Sequence, residues 1–332
     1  MTSADGSAAG SAPGSARYPS KRTGVLVLSY GTPGSPADVE AYYTHVRRGN
    51  PPSDVQLADL RRRYDSIGGV SPLSQRTAEQ AAGIEAALEA LAPGRFHVTA
   101  AAKHASPYIE DGVEALASSG VSDIVALVLA PHYSALSVGE YLQRAQAAAE
   151  ACGVSLHGVR SWHLEASLIA MLAKRLREAL ALTGVPPESS LVLVSAHSLP
   201  SRVLAMGDPY PDQLGETAEA VARAAGVTRW KLAWQSAGRT PEPWLGPDIL
   251  EEIRGAAAQG IAAVVVCPAG FTSDHLEVLY DLDIEARELA GSLGVAFSRT
   301  ASLNDDRDLC ELLAQVVIRT AEGCADTKAR RA

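Results

Sequence analysis

A chain of 332 residues with 47% hydrophobic and 20% charged residues has an ordinary globular make-up, and it can bury one large core or two moderate ones. A formal net charge of −9 with a pI near 5.4 argues against a nucleic-acid partner and against general binding to anionic membranes; an anionic ligand would need a local basic patch. The longest apolar runs span about seven residues where a membrane helix needs roughly 20, so no stable membrane insertion is expected.

Residues 1–22 are rich in Ser, Ala and Gly, carry no apolar segment of signal-peptide length, and read as a disordered tail. Cys152, Cys267, Cys310 and Cys324 are widely separated with no C-x-x-C, so neither a disulfide framework nor a zinc knuckle is indicated. A cytoplasmic protein with reduced thiols is the expectation. From Thr23 the pattern alternates strand, loop and helix. Strands are predicted at Val25–Ser29, His97–Lys103, Ile124–Ala130 and Val154–Arg160, then at Leu191–Ala196, Arg229–Gln235, Ile261–Pro268 and Gly294–Ser298. Helical periods fall between them at Ala78–Leu91, Val138–Ala151, Leu164–Leu182, Pro211–Ala225 and Ser273–Leu289. This predicts an α/β protein of two similar Rossmann-like domains, each a four-stranded, mainly parallel sheet flanked by helices. The first would span 23–183 and the second 184–320, joined around Gly184 to Ser190, with 321–332 as a tail.

The two halves resemble each other where chemistry would sit. Val25 to Pro33 reads VLVLSYGTP and Leu191 to Pro200 reads LVLVSAHSLP; later, Pro131 and Glu140 match the spacing of Pro268 and Glu277. Strand ends commonly carry Pro and Ser, but two matches in the same order indicate duplication, with a cleft between the halves. Ligands of open α/β sheets bind beyond the carboxyl ends of strands, so His197, placed just there, is the leading functional candidate. A loop histidine that only caps or packs is the plain alternative.

Residues 34–76 interrupt the first half as an insertion. Between Arg47 and Arg76 lie six arginines against Asp54, Asp59 and Asp65, a local net of +3. Beside tyrosines and the SIGGVSPLS loop, such a patch suits a flat anionic ligand, with arginines on carboxylates and rings against its face. Arg61 and Arg62 fit the solvated face of an amphipathic helix better; Arg47 and Arg63, each close to a tyrosine, do not. Downstream, Ser273 or Asp274 could cap a helix on which Glu277, Asp281 and Glu285 fall at i, i+4 and i+8. A carboxylate row ending near a histidine suits the handling of a divalent metal; a solvated acidic edge is the alternative. No G-x-S-x-G, G-x-x-x-x-G-K-[ST], strand-borne G-x-G-x-x-G or H-E-x-x-H occurs, and His275-Leu276-Glu277 lacks the P-C-x-x-C half of a zinc deaminase signature.

The strings SYGTP, YYTHVRRG, RYDSIGGVSPLSQ, LAPHYSALSVGEY, VSAHSLP, GDPYPDQL, WQSAGRTPEPWLGPD and GFTSDHLEVLYD run in order from about Gly24 to about Thr320. In them the chain resembles the ferrochelatase family, specifically its coproporphyrin type from Gram-positive and actinobacterial heme synthesis. The resemblance implies two Rossmann-like domains around a porphyrin cleft and insertion of Fe2+ into coproporphyrin III to give coproheme. It implies that His197 and Glu277 bind the metal and act in catalysis, with His197 the favoured acceptor of pyrrole protons. It places Tyr30 on the opposite face of the ring, and Arg47, Arg63, Tyr64, Ser71 and Tyr141 in contact with the porphyrin. Asp281 and Glu285 become an outer path for the metal, and a downstream coproheme decarboxylase becomes a candidate partner. Fe2+ enters as substrate, with no organic cofactor. Some ferrochelatases hold a [2Fe-2S] cluster through closely packed C-terminal cysteines; with Cys310 and Cys324 far apart, none is expected here. Competing readings are a protoporphyrin IX or other tetrapyrrole chelatase, and a porphyrin or heme carrier without catalysis. A monomer is the default.

Overall fold

The computed structural model describes residues 22–238 and 240–329, the side chains of 324–329 excepted, so all but one residue of the expected N-terminal tail lies outside the described residues. The strands are β1 (Thr23–Ser29), β2 (Phe96–Ala102), β3 (Asp123–Val128), β4 (Ser155–Val159), β5 (Ser190–His197), β6 (Trp230–Gln235), β7 (Ala263–Cys267) and β8 (Ala296–Arg299); the central β1, β3, β5 and β7 each hold an unbroken apolar run. Unbroken apolar runs suit strands covered on both faces, as in parallel sheets. The strands form two parallel sheets of matching order, β2-β1-β3-β4 and β6-β5-β7-β8. The shared order is the duplication that the paired motifs predict, with SYGTP following β1 and His197 closing β5 at equivalent places.

The helices are α1 (Val39–Val46), α2 (Asp54–Ser66), α3 (Leu73–Leu91), α4 (Ile109–Ser118), α5 (Val138–Cys152), α6 (Ala166–Leu182), α7 (Arg202–Ala205), α8 (Tyr210–Ala225), α9 (Ile249–Ala258), α10 (Leu276–Leu279), α11 (Arg287–Ser292) and α12 (Arg307–Ala329). The insertion at 34–76 supplies α1 and α2. Helix α2 starts on a reciprocal cap: the Ser53 hydroxyl accepts from Gln56 N–H at 3.3 Å and the Gln56 side chain accepts from Ser53 N–H at 3.0 Å. Leu26, Leu28, Ala126 and Val128 face α4 and α5, and Leu191, Leu193, Val264 and Val266 face α9 and α11. The opposite faces, with Val25, Val27, Val192 and Val194, share one continuous core with α3, α6, α8 and α12.

Two helices cross between the halves. Helix α6, which precedes the link at 184–190, packs on α8, β7 and β8 of the second sheet, and α12 returns to α3, β3 and β4 of the first. Residues 321–329 are therefore helical where a tail was expected. Leu309, Leu312, Leu313, Val316 and Val317 recur at helical spacing and bury against the first half, carrying the helix onward. At the seam, buried Asp208 accepts from the Ser134 hydroxyl at 3.0 Å, Ala135 N–H at 2.7 Å and Tyr210 N–H at 3.0 Å.

The helix expected over Ser273–Leu289 is broken. It starts at Leu276, after an extended His275, because the Asp274 carboxylate is taken by Ser302 at 2.7 Å, Asn304 at 3.0 Å and Arg299 at 3.2 Å instead of capping. Between α10 and α11 the chain makes a π turn, Asp281–Ala286, with Glu285 N–H on the Tyr280 carbonyl at 3.0 Å. No helix among the described residues is long and apolar enough to cross a membrane.

Candidate active site

The carboxyl ends of β1, β2, β3 and β5 open into a cleft of about 540 Å3 between the halves, within the size range of small-molecule sites. His197 enters it from the last residue of β5 and Glu277 from the first turn of α10, with Nε2 and Oε1 3.4 Å apart. His197 Nδ1 lies on the Ser198 carbonyl, an oxygen that can only accept; Nδ1 thus carries a hydrogen and Nε2 is the nitrogen turned to Glu277. The Tyr210 hydroxyl donates to the His197 carbonyl at 3.0 Å, fixing the strand end from α8. On the far side, His275 Nε2 is 3.6 Å from Glu277 Oε2, while its Nδ1 donates to the Ser273 carbonyl at 3.0 Å.

The electrostatics make this an ion pair at rest. Burial opposes the charged imidazole, but the Glu277 carboxylate outweighs it and pushes His197 up to about 9. Burial likewise works against the Glu277 carboxylate, and the two histidines overcome it, holding the group well below the usual carboxylate range. Both side chains keep about a third of their surface open to the cleft, 33% for His197 and 34% for Glu277. Among the described residues, no group of three or more His, Cys, Asp or Glu is arranged to hold a metal ion. The pair is an open two-donor site, not a closed cage.

Across the cleft stands Tyr30, 43% exposed, its ring tilted at 54° against that of His104 with centroids 4.6 Å apart. Tyr64, Ser71 and Tyr141 also line the wall. The Tyr64 hydroxyl lies 3.2 Å from Thr32 Oγ1 and burial pushes it up to about 12. The two arginines singled out from sequence point elsewhere. Arg47 donates from Nε to the Asn50 carbonyl at 3.1 Å and lies over the Tyr43 ring, and it is Arg48, left-handed at φ 57°, that reaches the cleft. Arg63 crosses to the second half, donating to Asp281 at 3.2 Å while also bonded to Asp59 and stacked on Tyr280. Asp281 is buried between Arg63 and the Ser236 hydroxyl, outside the cleft wall. Burial first, and the Glu277 charge second, raise its carboxyl to about 7. Glu285 follows one π turn later, half-buried.

Sequence reading missed Arg48, Lys103 and Gln235. Lys103, with 10% of its side chain exposed, lines the cleft, pairs with Glu140 at 2.6 Å and lies over the Tyr141 ring; Arg48 shares Glu140 at 3.4 Å. Gln235 sits beside His197 in the β5–β6 register. Lys103 directly follows β2 and Gln235 ends β6, so the strand-end rule that selected His197 would have selected these two.

The ferrochelatase family model matches residues 22–321. The chain belongs to the ferrochelatase family. It is 42% identical over 306 residues to coproporphyrin III ferrochelatase 1 of Bacillus anthracis, across 91% of this chain and 98% of the relative. It is 45% identical over 302 residues to coproporphyrin III ferrochelatase of Anoxybacillus flavithermus, across 90% and 96%. Among solved structures, SirB from Bacillus subtilis with Fe3+ is similar with a TM-score of 0.57 at 14% identity, covering 91% of this chain and 98% of that one. CbiX, the terminal enzyme for siroheme biosynthesis in denitrifying bacteria, is similar at 0.53 and 14%, covering 90% and 99%. At such identity the likeness is one of fold, the two-sheet chelatase fold. Membership in the ferrochelatase family makes the chain a metal chelatase, with Fe2+ as substrate.

Proposed function

We infer that the chain inserts Fe2+ into coproporphyrin III, forming coproheme for heme synthesis in the cytoplasm. The observation that carries this reading is the His197–Glu277 pair, two donors 3.4 Å apart in a macrocycle-sized cleft. A free porphyrin is planar, and two N–H groups block its centre. Metalation bends the ring, releases two protons and exchanges the water ligands of Fe2+ for four pyrrole nitrogens. With Nδ1 committed to the Ser198 carbonyl, His197 offers only Nε2, first to the metal or to a pyrrole proton. At rest Nε2 already carries a proton shared with Glu277; Fe2+ binding sends that proton to water in the open cleft, and once the metal has moved into the ring the vacated Nε2 can take one pyrrole proton while the other leaves to water. A two-donor site leaves the other coordination positions free for the ring, so the metal can be passed on. Tyr30 faces the ring from the other wall, and Tyr64, Ser71 and Tyr141 contact it.

Arg48 and Lys103, both on the cleft wall, are the cations we assign to the ring's carboxylates; Arg47 stands one residue from Arg48. Arg63 belongs in this scheme to the metal side, where it holds Asp281, and Asp281 with Glu285 forms the outer path toward Glu277. Gripping the carboxylates lets the cleft couple binding to distortion of the ring. The product would pass to a coproheme decarboxylase. Cys152 is exposed, whereas Cys267 is buried in β7 and Cys310 in α12 beneath α3, an arrangement that supports a chain without a [2Fe-2S] cluster. Stoichiometric acid-labile sulfide in freshly purified protein would overturn that assignment.

The deciding experiment is anaerobic turnover with Fe2+, following coproporphyrin III and protoporphyrin IX by absorbance. Metalation of coproporphyrin III alone is expected. Preference for protoporphyrin IX would overturn the substrate, and tight binding of either ring without metalation would leave a carrier.

A further inference from the structure

The supports of His197 and Glu277 meet at one residue. Gln235 is buried at the end of β6, opposite His197 of β5. Its side-chain oxygen accepts from the Ser195 hydroxyl at 2.9 Å, and its amide nitrogen donates to the main-chain carbonyl of Glu277 at 3.1 Å. The orientation of the amide follows from its partners, because a carbonyl only accepts and so must face the NH2 group. The main-chain carbonyl of Gln235 takes Ser198 N–H at 2.8 Å, and Ser198 is the residue whose own carbonyl orients the His197 ring. One residue therefore grips the backbone beside both members of the pair. Gln235 is not among the residues that line the cleft.

We propose that Gln235 is a positioning residue that sets the placement of Glu277 against His197 for metal binding, a role that rests on the assignment of the metal to that pair. Glu277 lies in the first turn of α10, just ahead of the π turn at Asp281–Ala286, and the Gln235 amide ties the carbonyl of that turn to the sheet. The tie to His197 runs through main-chain atoms that any residue at 235 supplies. The tie to Glu277 runs through the side chain alone. Substituting the side chain thus loosens one member of the pair, and metal handling suffers while porphyrin binding does not.

The test uses the full chain with Zn2+ as probe. Gln235→Leu and Gln235→Met both remove the donor to Glu277 and the acceptor for Ser195 without adding a charge, Met keeping the length of the side chain and Leu shortening it. Zn2+ affinity is measured by calorimetry without porphyrin, and KM for Zn2+ and for coproporphyrin III during Zn2+ insertion. In both variants Zn2+ affinity should fall about 10- to 100-fold, the usual cost of removing an outer-shell partner, with a matching rise in the Zn2+ KM and an unchanged porphyrin KM. If Gln235→Met does not fold, Gln235→Leu alone decides. Parent-like Zn2+ affinity, or a rise confined to the porphyrin KM, would overturn the role. His197→Ala is run beside them: if it binds and inserts Zn2+ like the parent, the assignment of the metal pair fails. If it loses both while the Gln235 variants keep them, only the positioning role fails.

Discussion

Glu277→Gln separates the causes that place the His197 proton. In the parent, burial disfavours the imidazolium, and the Glu277 charge, its hydrogen bond and the Ser198 carbonyl together lift His197 to about 9. Replacing the carboxylate by an amide of the same shape leaves burial as the main influence, so the imidazole should titrate below the ordinary ~6.5. At ~1.36 kcal/mol per pH unit the difference is ~3 kcal/mol, and ~1.5–2 kcal/mol once the water-open third of each side chain is allowed for. The sign follows from the raised value: the stabilisation from His197 is complete below pH ~6.5 and disappears as pH rises through about 9. Glu277, lowered, contributes above its ordinary ~4.5 and loses that contribution in acid. The metal-free parent should therefore lose thermal stability between pH 6.5 and 9, and Glu277→Gln should stay flat across that range. NMR of the His197 ring in metal-free protein measures the titration directly. A ring that still titrates near 9 in Glu277→Gln would refute the ion pair as the cause.

Three further outcomes follow from packing. A Cβ at Gly270 would stand 2.5 Å from Ala196 Cβ and 2.9 Å from its Cα, so Gly270→Ala must displace either its own loop or the strand end that carries His197. We expect a loss of ~1–3 kcal/mol in urea unfolding together with impaired metalation; parent-like activity would show that the strand end does not move. Asp208→Ala strips three donors of their acceptor at the seam and should cost ~2–4 kcal/mol, read as a lowered urea midpoint. An unchanged midpoint would mean that water replaces the carboxylate. Leu313→Ala on α12, at a fully buried position, should cost ~2–5 kcal/mol, and a cost under ~1 kcal/mol would argue against the packing of this helix on the first half.

Strands were legible because runs such as VLVL and AVVVC are short, rich in β-branched residues and apolar at every position, as suits a doubly covered strand. His197 was legible by its place at a strand end, and Glu277 by helical spacing near it. The crossing of α6 and α12 was not, because an amphipathic helix announces that it has a buried face without naming the sheet that covers it. The break after Leu279 escaped as well: apolar periodicity cannot register one extra residue in a turn. Arg63 was read toward the ligand because it adjoins Tyr64, but a long guanidinium arm is aimed by its partners, here Asp281 and Asp59, which are set by the fold. Arg48 was passed over for Arg47 because the left-handed backbone that brings it, still largely exposed, to the cleft rim leaves no mark in composition.

The return of α12 to the first sheet has a consequence for the order of synthesis. Val25, Val27, Val125 and Leu127 share their core with residues that follow much later in the chain, Leu309 to Val317. While the ribosome is still making the second half, that face of the first sheet has no cover from α12, and the apolar strip waits until α12 has emerged. A nascent chain halted before Arg307 would carry two sheets and the His197–Glu277 pair yet still expose this strip. The protein should therefore depend on chaperones during translation more than its two tidy α/β halves suggest, and nonsense mutations that remove α12 should yield aggregates, not shortened enzymes.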